Sequence, residues 1–158
     1  MRHPQPDGQL SGQGHLHPRS DPGGSTLTVV EPSFTITIFS FGYKYGLPQD
    51  VNLLFDVRFL ANPYHVDTLH AFTGLKSSIA DYVLRNQSGS DCLRHLHRII
   101  SFFATAHQQS GKKELRIAIG CTGGHHRSVA VTEALAALLK NEAFPVSHHH
   151  RDIEKESH

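Results

Sequence analysis

The stretch LRIAIGCTGGHHRSVAVTEALAALLK, residues 115–140, decides the fold. Its first six residues form a short apolar run ending at Gly120, the pattern of a buried strand. Ser128 to Lys140 places Val131, Leu135, Leu138 and Leu139 on one face at helical spacing, and Pro145 lies just beyond. Between them, CTGGHHR is a Gly-containing turn from strand to helix. Upstream, FTITIFSF alternates Phe34, Ile36 and Ile38 with Thr35 and Thr37, a strand rich in β-branched residues. GYKYGLPQD reads as a loop, and NLLFDVRFL (Asn52–Leu60) as a strand buried on both faces with Asp56 and Arg58 near its end. ANPYH is a turn, residues from about Ser78 to Arg85 a short helix, and Asp91 to His107 a longer one with Ser90 as its cap. VSHHH is read as a last strand. Strands alternating with helices predict a single-domain α/β sandwich, its largely parallel sheet flanked by helices. Ligands in such folds bind beyond the carboxyl ends of the strands, where Asp56, Arg58 and the loop after Gly120 all fall.

The chain has 158 residues, enough for one well-buried core and too few for two. Residues 1–32 read differently from 33–158: they hold five of the 13 Gly and five of the eight Pro, with no apolar periodicity before about Leu27. Such a segment buries too little apolar surface to offset its conformational entropy, which predicts a disordered tail. His15 and His17 there are read as solvated. Fifteen Lys+Arg against 14 Asp+Glu leave a net charge of +1. From Phe34 onward the count is 13 basic and 11 acidic, or +2, so no strongly basic surface is hidden by the tail. Two cysteines, Cys92 and Cys121, do not make a disulfide scaffold and are expected to stay reduced. With no membrane-spanning run and no signal-like N-terminus, a soluble cytoplasmic protein is the expectation.

The loop carries the chemistry. The first amides of a helix are unpaired and the helix dipole adds partial positive charge there. Gly123 and Gly124 let the backbone approach an anion, and Thr122 and Ser128 offer hydroxyls. Arg127 can grip a phosphate through two parallel hydrogen bonds, and His126 adds charge when protonated. This predicts an anion pocket suited to a phosphate ester. The plainer reading of the same residues is a tight turn whose Arg pairs with a carboxylate. The spacing Cys121-x5-Arg127, followed by Ser128, also resembles the loop of cysteine-dependent phosphatases, in which the thiolate attacks phosphorus. In this chain Gly120 stands where those enzymes usually carry His, and Asp67 or Asp56 would have to serve as general acid. No G-x-x-x-x-G-K-[ST] occurs, which excludes a Walker-type nucleotide site and the ATPase or GTPase chemistry that goes with it.

Four motifs in order, FSFGYKYGLPQDVNLLFDVRFLANPY, TGLKSSIADYVLR, AIGCTGGHHRSV and HRDIEK, resemble the C-terminal domain of the RapZ/YvcJ family of RNase adapter proteins. The resemblance spans about Thr35 to Lys155. Full-length members carry an N-terminal P-loop domain, which has no counterpart in this sequence, so the chain looks like a stand-alone version of the C-terminal domain. The resemblance implies an α/β domain that senses glucosamine-6-phosphate or a similar amino-sugar phosphate, with no cofactor. It further implies binding of structured RNA, presentation of that RNA to an RNase, and a homo-oligomer. The family's pocket carries over onto Asp56, Arg85, Cys121, Thr122, Gly123, His126 and Arg127. Tyr64 stands where a family member has His, and the adjacent His65 is the candidate to replace that contact.

Of the remaining histidines, His95, His97 and His107 are expected to be solvated on the long helix. Successive residues on a strand point to opposite faces, so His148, His149 and His150 suit a metal poorly. His150 and Arg151 belong to the HRDIEK motif. Cys92 reads as inert and Cys121 as the reactive thiol, while Tyr43, Lys44 and Tyr45 either stack a base or cover the sheet edge, with Lys44 reaching the anion pocket as a further alternative.

Overall fold

The computed structural model describes residues 34–155, so the expected N-terminal tail lies outside the described residues. Strands β1 (Thr35–Gly42), β2 (Leu53–Asp56), β3 (Glu114–Cys121) and β4 (Val146–His150) form one sheet in the order β2-β3-β1-β4. Every pairing is parallel, with Ile36 opposite Leu115 and Gly42 opposite Cys121. Helices α1 (Ser77–Leu84), α2 (Gln87–Gln109) and α3 (Arg127–Asn141) complete the fold. The predicted α/β sandwich with a parallel sheet and flanking helices is what forms.

Alternation along the central strands divides the sheet into two faces. Ile36, Ile38, Leu115, Ile117 and Ile119 are almost fully buried and share one core with Ile79, Ile100, Val131, Leu135 and Leu139 of the helices. The opposite face carries Phe39, Phe41 and Ala118, covered by Tyr43 and Val51 from the loop after β1. Tyr43 packs its ring 4.9 Å from Phe41, and the Tyr45 hydroxyl donates to the Lys155 carbonyl. The YKY segment therefore closes over the sheet end.

Two boundaries differ clearly from the sequence expectation, each for a local reason. β2 stops at Asp56 because the Asp56 carboxylate accepts from the Arg58 N–H at 2.9 Å, which turns the chain. It is also an edge strand, with Leu54 37% exposed, and not the doubly buried strand that its apolar run suggested. α2 begins at Gln87, four residues early, because the Asn86 side chain accepts from the Gly89 N–H and caps it in place of Ser90. His97 and His107 are likewise more engaged than expected: His97 lies 2.7 Å from Glu142, and the His107 Nδ1–H donates to the Phe103 carbonyl. Among the described residues, no helix is long and apolar enough to cross a membrane.

The last strand splits its histidines between faces. His148 and His150 both reach Glu133 of α3, at 3.2 and 2.7 Å, whereas His149 stacks on Phe39 at 5.0 Å and 10°. Burial first, and then the charges of Arg116, His150 and His148, hold the His149 imidazole below its ordinary pKa. The folded state thus favours neutral His149, while the unfolded chain binds a proton near pH 6.5. Stability from this group is complete above about pH 6.5 and is lost as pH falls from there through the lower folded value. Urea midpoints from pH 7.5 to 5.5 should fall less steeply in His149→Phe, which keeps the stack without the titration. Equal slopes in parent and variant would show that His149 does not contribute.

Candidate functional site

β1 and β3 end side by side, so the loops that leave their carboxyl ends meet. The turn after β3 runs from Thr122 to His126 and enters α3 at Arg127. His126 occupies the N-cap position without a side-chain hydrogen bond to the helix. The first turn of α3 is therefore not capped from within, the condition under which helix amides bind an anion.

Close backbone packing makes this loop. A Cβ on Gly42 would stand 2.5 Å from the Gly123 carbonyl carbon and 2.8 Å from the Gly124 nitrogen. Gly124 itself adopts φ +68, in the left-handed region that glycine reaches without strain. Lys44 N–H donates to the Thr122 carbonyl on one side, and Gly74 N–H to the His125 carbonyl on the other. The loop is thus fixed between the segment after β1 and the turn before α1.

Beside it lies a cavity of about 240 Å³. Cys121, Thr122, Gly123, His126 and Arg127 line it, together with Lys44, Asn62, Tyr64 and His125. Five predicted residues are thereby brought together. Gly124 does not line the cavity; it packs against the Phe41–Gly42 backbone. Asp56 does not line this cavity. It forms a double contact with Arg58, whose hydrogen bonds hold its carboxyl below the usual carboxylate range. Asp56 instead borders a second cavity of about 460 Å³, with Phe55, Phe59, Asp91 and Cys92. Arg85 follows α1, is 81% exposed at its side chain and pairs with Asp81 at 3.1 Å, away from both cavities. Asp67 is exposed and lines neither. Tyr64, and not His65, reaches the loop cavity.

Arg127 is only 6% exposed. Its Nη1 donates to the Arg58 and Leu60 carbonyls, while Nη2 lies 3.5 Å from the Thr122 hydroxyl. Its partners are carbonyls and a hydroxyl, so the plainer picture of an Arg paired with a carboxylate does not describe this turn. The Cys121 sulfur lies 3.0 Å from the Ser128 hydroxyl, and both are buried. The His126 Nε2–H donates to the His70 carbonyl, and the His125 Nδ1–H to the Ile153 carbonyl, which orients both rings. Cys92, in contrast, is buried within α2, and burial pushes its thiol pKa up.

Lys44, Asn62 and Tyr64 come from loops distant in sequence; the sequence raises Lys44 and the Tyr64 position only as alternatives, and nothing in it points to Asn62. The signal that points to Lys44 is topological: it follows a strand whose parallel neighbour ends in the anion loop.

Comparison with known proteins agrees with this architecture. The profile of the RapZ C-terminal domain matches residues 34–154. A nucleotide-binding protein of Caldicellulosiruptor bescii is 50% identical over 121 residues, covering 77% of this chain and 42% of the relative. A nucleotide-binding protein of Limosilactobacillus fermentum is 46% identical over 123 residues, 78% of this chain and 43% of the relative. One from Mycobacterium bovis is 44% identical over 135 residues, 85% and 42%. The chain spans less than half the length of these relatives, and the part it matches is the α/β unit described above. The chain belongs to the RapZ C-terminal domain family.

Proposed function

We propose that this domain binds a phosphorylated amino sugar of the glucosamine-6-phosphate type and acts as a sensor or adapter module. The observation that carries the reading is the cavity where Lys44, Arg127 and the uncapped start of α3 converge on the Gly123 backbone. A phosphate there would accept from loop amides and sit beside the cations of Lys44 and Arg127. Asn62 and the half-exposed Tyr64 ring lie on the same cavity wall and offer a polar group and an apolar face to the sugar. Calorimetric titration with glucosamine-6-phosphate, glucosamine and inorganic phosphate tests it. The phosphorylated sugar should bind saturably and glucosamine should not.

A cysteine phosphatase is the second reading, favoured by the 3.0 Å contact of Cys121 with Ser128, which could support a thiolate. Two features count against it. Neither proposed acid lines the cavity. A side chain in place of Gly120 would strike the Phe41 and Tyr43 rings at 2.4 and 2.6 Å, leaving no room for the usual His. With p-nitrophenyl phosphate the expected result is no turnover; turnover that vanishes in Cys121→Ser would replace the sensor reading with the phosphatase.

The adapter role toward RNA and an RNase enters the proposal through family membership. A gel shift with structured RNA at two salt concentrations tests it: binding that weakens as salt rises supports the role, and no shift at low salt removes it.

A further inference from the structure

The HRDIEK segment, which starts at the last residue of β4, takes no part in lining the cavity, yet it bonds to Gly42 beside the anion loop and to His125 within it. Asp152 is fully buried. Its Oδ2 accepts from the Gly42 N–H at 2.8 Å, and its carboxylate also receives Arg151 Nη2 at 2.8 Å and Lys155 Nζ at 2.7 Å. Gly42 is the residue whose backbone abuts Gly123 and Gly124, and the Asp152 Cβ stands 3.1 Å from where a Cβ on Gly124 would be. One residue on, the Ile153 carbonyl accepts from His125 at the far end of the same loop.

A buried carboxylate loses hydration and is costly unless fully partnered. Beside an anion pocket an unpartnered one would also repel the ligand, but here Arg151 and Lys155 offset its charge. From this arrangement we infer that Asp152 is a positioning residue for the anion loop. By fixing the Gly42 amide it sets the separation between the end of β1 and the Gly123–Gly124 backbone, and hence the aim of the loop amides. The inference rests on the binding role proposed above for its effect on affinity, and on geometry alone for its effect on the loop.

The experiment compares the parent with Asp152→Ala, Asp152→Asn and Leu139→Ala. Leu139 is buried in the helical layer and serves as a control for general loss of stability. Amide exchange at Gly42, bonded to Asp152, and at Lys44 and Gly74, bonded to the loop carbonyls of Thr122 and His125, is measured on each, with affinity for glucosamine-6-phosphate. Asp152→Ala should speed exchange at Gly42 by about tenfold, the scale of one buried hydrogen bond, and raise it at Lys44 and Gly74 as the loop loosens. It should weaken ligand binding by about tenfold. Asp152→Asn keeps an acceptor for Gly42 and should stay within about threefold of the parent in both. Leu139→Ala should leave the three amides near the parent rate. Equal acceleration in Asp152→Ala and Leu139→Ala, or unchanged Gly42 exchange in Asp152→Ala, would overturn the inference. If the parent binds no sugar phosphate, the binding proposal fails while the exchange comparison still decides the role of Asp152.

Discussion

Gly42→Ala should lower stability by about 2–4 kcal/mol, roughly 10 °C in melting temperature, and abolish sugar-phosphate binding. The new methyl would sit 2.5–2.8 Å from three backbone atoms of Gly123 and Gly124. Backbone cannot rotate away as the end of a side chain does, so either β1 leaves β3 at this point or the loop shifts. Both routes damage the site. Moving β1 disturbs the Gly42–Cys121 pairing and the bond to Asp152; moving the loop changes the aim of its amides. Thermal denaturation and titration of the variant check this. A variant that melts like the parent and binds equally well would show that the contact relaxes without consequence.

The second large effect is expected at Arg127. Arg127→Ala should cost about 2–4 kcal/mol and reduce affinity for a phosphate ester by at least about tenfold. Arg58 and Leu60 carbonyls would lose their shared donor, and the cavity would lose a buried cation. Arg127→Lys separates the two contributions. It keeps the charge but not the planar fork that spans two carbonyls and leaves a second nitrogen toward Thr122. The Lys variant should bind ligand better than the Ala variant and remain less stable than the parent. Lys as stable as Arg would mean that the carbonyl contacts contribute little.

Much of the fold was legible because it rests on local periodicity. The six-residue apolar run ending at Gly120 and the helical spacing from Val131 to Leu139 reappear as β3 and α3, with ends moved by one residue. Errors arose where one side chain overrides a pattern. The apolar run from Asn52 continues past Asp56, but the Asp56 carboxylate captures the Arg58 amide and ends the strand. The loop residues of the site were legible because strand, Gly-rich turn and helix are contiguous, so chain neighbours are also neighbours in space. Lys44 was readable only as one alternative for the YKY segment and Tyr64 only as a family contact position, while Asn62 was not singled out at all, since only the sheet order joins their loops. Asp56 and Arg85, carried over by resemblance, pair with Arg58 and Asp81. The HRDIEK motif could be recognised as belonging to the fold, but its grip on Gly42 and His125 is a tertiary fact.

The central claim is that the loop from Cys121 to Arg127, at the start of α3, receives the phosphate of a phosphorylated amino sugar. Calorimetric titration of the full chain with glucosamine-6-phosphate, repeated with Arg127→Lys, tests it most directly. The account predicts saturable binding to the parent, weakened in the variant, with no response to glucosamine alone. Absence of binding to the parent at millimolar ligand would contradict it.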